Sequence, residues 1–142
     1  MIVLRSATEK DAIFLFKLRN DEKTKAASHN TGDISWSEHL VWLKNTFKNK
    51  NRKLYIAEED FIPVGQIRTD FSCGVYELSW TVEPELRNKG IGKRMVAELA
   101  KKISGKMRAE IKSDNISSIR IAEYIGMRKY CENNRVLYYK TE

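Results

Sequence analysis

The stretch Tyr76–Val96, YELSWTVEPELRNKGIGKRMV, changes its hydrophobic period partway along. Tyr76, Leu78, Trp80 and Val82 alternate with Glu77, Ser79 and Thr81, the pattern of a strand with one buried face. From Ile91 onward, Ile91, Met95, Leu99 and Ile103 recur every four residues with Val96 and Ala100 beside them, as on a buried helical stripe. Pro84 ends the strand, and RNKGIG (Arg87–Gly92) fills the junction. A strand, a glycine turn and a helix N-terminus form an anion site: the first-turn N–H groups have no intrahelical partners, and the helix dipole adds partial positive charge. Gly90 and Gly92 would let phosphate oxygens reach those amides without meeting a Cβ, while Arg87, Lys89 and Lys93 would add full charges.

Two familiar phosphate motifs are excluded. A dinucleotide fingerprint needs a third glycine where Met95 stands. A P-loop needs a glycine at Arg87 and a hydroxyl residue at Arg94.

Working outward, MIVLR reads as a first strand, and a capping box at Thr8 and Asp11 opens a helix with Ala12, Ile13, Phe16 and Leu18 as apolar positions. LRNDEKTKAASHNTGD reads as a polar connection that leaves room for a helical turn. Ser35 and Glu38 cap a second helix to about Phe47, with Leu40, Leu43 and Phe47 on one side. KLYIAEE and PVGQIRTDF are strands joined at Glu59–Asp60, and Pro63 limits where the second begins. Past the quoted stretch, Gly105 stops the helix, KMRAEIK is a strand, SDNISSIRIAEYIG is a helix, and MRKYCENNRVLYYK is a hairpin turning at Asn133–Asn134. The expected fold is α/β: one mixed, mostly antiparallel twisted sheet of about seven strands flanked by about four helices, a single domain over residues 1–142.

The 142 residues, 42% apolar and 32% charged, suit one soluble globular core. The longest clean apolar run, Ala12–Phe16, is far below a membrane span, and Arg5 arrives too early for a secretory h-region. Cys73 and Cys131 lack metal-ligand spacing and read as free thiols, so a cytoplasmic location, no metal and no membrane partner are expected. The net charge of +7 favours anionic partners: nucleic acid, anionic lipid or a phosphorylated small molecule. The cations are scattered, and the densest cluster (Lys48–Lys53) has no aromatic before Tyr55, which argues against a nucleic-acid-binding module. Oligomeric state is open, with a homodimer allowed.

With its flanks, the glycine hexapeptide resembles the acetyl-CoA-binding segment of the GNAT superfamily of N-acetyltransferases, whose pattern is Gln/Arg-x-x-Gly-x-Gly/Ala. DNISSIRIAEYIGM resembles that family's next motif, Asn-x-x-(small)…Gly-(aromatic or Met). The resemblance runs along essentially the whole chain and is strongest over residues 76–127. It implies an acetyl-CoA-dependent N-acetyltransferase that transfers acetyl directly to a primary amine in a ternary complex. The diphosphate would sit on the amides of Arg87, Asn88, Lys89, Gly90, Ile91 and Gly92, near Lys93. The pantetheine arm would pair with Trp80, Thr81 and Val82, which needs a gap between that strand and KMRAEIK. Asn115 would bond the arm or cap its helix, and Glu77 would be the base, through a water. One departure stands out: the family's frequent acid, a tyrosine four residues before the glycine, is Ala122 here. Tyr124 is two residues away, rotated by roughly 200°. A catalytically inactive acetyl-CoA sensor is therefore a further reading.

The acceptor side rests on LRND…SHN…ISWSEH, which contains Arg19, Asn20, His29, Asn30, Trp36 and His39. Trp36, His39 and Trp42 follow at intervals of three and can share a side, either as a binding surface or as core. The stretch resembles the family branch that acetylates a nucleotide-linked amino sugar in pseudaminic acid biosynthesis. SSIRIAEYIGM resembles the branch with ribosomal-protein N-terminal acetyltransferases. A UDP-linked amino sugar is the expected acceptor and a protein N-terminus the alternative; acyl length is open.

Overall fold

The computed structural model describes residues 1–29 and 31–142; Asn30 lies outside the described residues. The chain runs β1 (Ile2–Ser6), α1 (Ala12–Arg19), α2 (Glu22–Ala27), α3 (Trp36–Lys48), β2 (Arg52–Glu59), β3 (Ile62–Ser72), β4 (Val75–Val82), α4 (Ile91–Lys102), β5 (Lys106–Lys112), α5 (Ile116–Tyr124), β6 (Arg128–Asn133) and β7 (Val136–Lys140). All seven strands form one sheet in the order β1-β2-β3-β4-β5-β7-β6, antiparallel except where β4 meets β5.

The sheet carries α4 and α5 on one face and α1 and α3 on the other. On the first face Ile67, Leu78, Met95, Val96, Leu99, Ala109 and Met127 join the main core. Ile91, Met95, Val96 and Leu99 are the buried side of α4, as the four-residue recurrence predicts. Each such side chain contributes about 1.5–3 kcal/mol by burial. On the second face Ala12, Leu15, Leu43, Leu54 and Ile56 form a smaller core.

Several local expectations are corrected. The polar connection contains a helix, α2, with Asp21 as its N-cap: the Asp21 carboxylate accepts from the Thr24 amide at 3.1 Å. Among the described residues this makes five α-helices where about four were expected. The buried side of α3 is His39, Leu43 and Thr46, leaving Leu40 and Phe47 exposed; α1 buries Leu15 in place of Ile13. The β2–β3 and β6–β7 turns each fall one residue later than expected, with positive φ at Asp60 and Phe61 and at Asn134 and Arg135. Those mirror-type turns match the twist of the strands they join. β3 begins before Pro63, and the register slips between Ala57 and Glu58, a bulge beside the proline that lacks an N–H for the ladder.

Candidate active site

β4 and β5 pair only at Val75–Lys106, Tyr76–Met107 and Glu77–Arg108. Beyond Glu77 they part. β4 stays zipped to β3 as far as Val82, and β5 stays zipped to β7 as far as Lys112. The strand edges that face each other, Leu78–Val82 and Ala109–Lys112, therefore have no ladder partner on that side. They open into a cavity of about 1320 Å³ lined by both strands, the front of α4, the front of α5 and the N-terminal helices.

The front of α4 is built for a negative group. Its N-cap, Gly90, has φ +78°, and Asn88 has φ +64°. No side chain caps the helix, and no acidic residue sits in its first turn. Arg94 is the first residue whose amide bonds back, to the Gly90 carbonyl at 3.2 Å, so the amides of Ile91, Gly92 and Lys93 have no helical acceptor. The two glycines differ in their reasons. A Cβ on Gly90 would meet nothing within 4 Å, but its φ favours glycine. A Cβ on Gly92 would lie 2.9 Å from Ile121 Cδ1 and 3.2 Å from Val82 Cγ2, so packing of α4 against α5 and β4 requires it.

The cations around the loop separate. Arg87 turns inward: its Nε donates to the Val82 carbonyl at 3.1 Å, and its Nη atoms reach Thr24 Oγ1 at 2.9 Å and Asp21 at 3.0 Å. It ties the loop to α2 instead of presenting a free charge. Lys93 lies 4.0 Å over the Tyr124 ring at the cavity rim, and Lys89 is exposed and off the lining. Asn115 lines the cavity and caps α5, its Oδ1 accepting from the Ser118 amide at 3.2 Å. Ala122 is fully buried in the main core, while Tyr124 is 58% exposed beside Lys93. Trp80, Thr81 and Val82 line the cavity; Trp80 and Val82 pack their side chains against the main core.

Glu77 sits where β4 and β5 separate and accepts from Arg108 Nε at 3.0 Å. Burial first, and the neighbouring Glu110 carboxylate second, push its carboxyl above the usual glutamate range; Arg108 opposes them. Glu77 itself is not on the cavity wall. Glu110, two residues along β5 from Arg108, is, and it lies 3.4 Å from His29 Nε2.

On the acceptor side the structure brings Arg19, His29 and His39 to the cavity, but not Asn20 or Trp36. Asn20 grips the connection after α2, donating to the Ile34 carbonyl at 3.0 Å and accepting from its amide at 2.9 Å. His39 is buried; its Nε2–H donates to the Ala12 carbonyl at 2.9 Å, and burial holds its pKa below the ordinary 6.5. Trp36 is 40% exposed and packs edge-on against Phe16, with ring centres 5.1 Å apart. Trp42, stacked on His39, and Arg68 of β3 also line the cavity. Sequence reading named Trp42 as a binding-surface or core residue but passed over Arg68 and Glu110. The only signal was strand alternation, which puts Arg68, Ser79 and Glu110 on the sheet face opposite the main core.

Against known proteins, the model of the acetyltransferase (GNAT) domain matches residues 2–128. The chain belongs to this family, and with it is an acetyl-CoA-dependent N-acetyltransferase. No curated protein gives a significant match. Among solved structures, a domain from Methanocaldococcus jannaschii DSM 2661 aligns with TM-score 0.84 at 24% identity, over 99% of this chain and 97% of that one. Spermidine N-acetyltransferase from Vibrio cholerae, in complex with CoA and spermine, aligns with TM-score 0.88 at 14% identity, over 98% and 94%. Ribosomal-protein-alanine N-acetyltransferase from Brucella melitensis aligns with TM-score 0.80 at 22% identity, over 98% of both chains. At these identities the likeness is one of fold. Among the described residues there is no cluster of potential metal ligands, and no helix is long and apolar enough to cross a membrane.

Proposed function

We propose that this acetyltransferase acts on the primary amine of a small anionic acceptor, a UDP-linked amino sugar. The supporting observation is the charge of the acceptor end of the cavity. Arg19, Lys23 and Arg68 line it with His29, and the cavity's carboxylates are Glu110 and, ahead of α5, Asp114. A polyamine or aminoglycoside would meet repulsion there, whereas a sugar diphosphate would find cations. Trp42 and His39 give the same region a flat apolar wall for a ring.

In this reading the coenzyme supplies an activated acetyl thioester, with its diphosphate on the free amides at the front of α4 and its arm along the open edge of β4. The chain's own contribution is position and proton removal. A protonated amine cannot attack, so the Glu77–Glu110 pair takes its proton, with Glu110 as the member facing the cavity and a water reaching Glu77. The amine lone pair then forms the C–N bond as the C–S bond breaks. A thiol of pKa about 8.5 leaves tolerably as thiolate, so Ala122 in place of a tyrosine does not abolish turnover. A cytoplasmic setting, with Cys73 and Cys131 as exposed free thiols, belongs to the same reading.

The test is thiol release from acetyl-CoA with a panel of UDP-amino sugars, spermidine, an aminoglycoside and N-terminal peptides. Turnover confined to the UDP-amino sugars is expected. Turnover only with spermidine or with a peptide would contradict the acceptor assignment.

A further inference from the structure

We infer that Arg68 is the residue that reads the acceptor's negative charge, its guanidinium binding phosphate or carboxylate oxygens of the acceptor over the floor made by Trp42. This rests on the reading above that the acceptor is anionic, and it assigns that recognition to one side chain.

Arg68 stands opposite Ser79, so it is one strand spacing (about 4.8 Å) from the β4 edge along which the coenzyme arm is placed. Its side chain is only 28% exposed and lines the cavity. Nε is occupied, donating to Asp70 Oδ2 at 3.0 Å. The other Asp70 oxygen accepts from Arg52 Nε at 2.6 Å, so one carboxylate serves two guanidinium groups. Glu77, another carboxylate that acts on Arg68, is bonded to Arg108. Among the described residues no hydrogen bond is recorded to Nη1 or Nη2 of Arg68, and the Trp42 ring centre lies 5.9 Å from Cζ.

The guanidinium is partly withdrawn from water, and burial lowers its pKa, while its outer N–H groups keep access to the cavity. An anionic oxygen group supplies the missing partner through paired charge-assisted hydrogen bonds, for which the planar arginine fork is suited. Trp42 lies under the guanidinium, and both residues line the cavity.

The experiment is calorimetric titration of wild type, Arg68→Gln and Arg68→Lys, first with CoA. With CoA saturating, so that the diphosphate site at α4 is filled, each is then titrated with UDP and, separately, with N-acetylalanine as a carboxylate probe. Equal CoA affinity in all three proteins shows that they are folded. Loss of CoA binding by the wild type would sink the coenzyme assignment on its own. UDP binding weakened at least tenfold in Arg68→Gln, and only partly rescued in Arg68→Lys, is expected from a charge-assisted bond. The same dependence seen with N-acetylalanine in place of UDP also supports the inference and identifies the anion as a carboxylate. Probe binding that ignores the substitution, or no probe binding by a wild type that holds CoA, overturns it.

Discussion

The two ends of the cavity are made of different material. At the end proposed for the coenzyme the available groups are backbone: the open edge of Leu78–Val82 and the bare amides that follow Gly90. At the end proposed for the acceptor they are side chains from α1, α2, α3, β3 and β5, brought together only by folding. Backbone recognition needs a fixed local conformation, so it leaves a short pattern of glycines in the chain. Side-chain recognition can be assembled from anywhere and leaves no such pattern.

The largest effect that could break this contrast lies where the ends meet. Glu110→Gln should lower kcat by about 100-fold, the usual scale for removing a general base. It should also move the acidic limb of the pH–rate profile downward. Glu77 is pushed up partly by the Glu110 charge, and removing that charge lets it ionise at lower pH. Unchanged kcat would mean that the proton leaves by another route.

Next is Gly90→Glu, which puts an anion among the phosphates and should raise the coenzyme KM at least tenfold. The φ of +78° also strains any side chain, so Gly90→Asn, a residue that tolerates this region, is the control and should stay within a few-fold. Equal effects of the two would point to strain in place of charge.

Lys93→Ala should matter less, about two- to fivefold in coenzyme KM, because a single rim cation contributes about 0.3–1 kcal/mol where amides do the holding. A larger loss than that of Gly90→Glu would invert the contrast.

The smallest effect concerns His39 as a structural member of the acceptor wall. Its folded pKa lies below 6.5, so the unfolded chain binds the proton more readily. Its contribution is complete well above pH 6.5 and is lost as the pH falls below that value. Chemical denaturation at pH 7.5 and 5.5 should show an acid-dependent loss that His39→Gln reduces. An identical loss in the variant would remove His39 from the account.

What could be read from the chain follows the same division. Strand alternation in YELSWTV and the four-residue recurrence after it located the main core and the glycine turn, because each is a local repeat on a buried face. α2 escaped because six polar and small residues carry no apolar stripe; it is held by the Asp21 cap and by Arg87 and Lys112, which reach it from elsewhere in the chain. The inward turn of Arg87 was hidden for the same reason, since its partners Asp21 and Thr24 are far away in sequence. On α3, periodicity favoured Leu40 and Phe47, but the helix buries the side of His39, Leu43 and Thr46, where His39 bonds the Ala12 carbonyl. Nothing local in the chain marks Arg68 or Glu110; both line the cavity that opens where β4 parts from β5.

Amide hydrogen exchange with and without acetyl-CoA tests the central claim most directly. Slowed exchange concentrated at residues 88–93 and along 78–82 is the predicted result, since ligand oxygens would occupy those bare N–H groups. Saturating coenzyme that leaves both stretches unchanged while protecting another part of the surface would contradict the account.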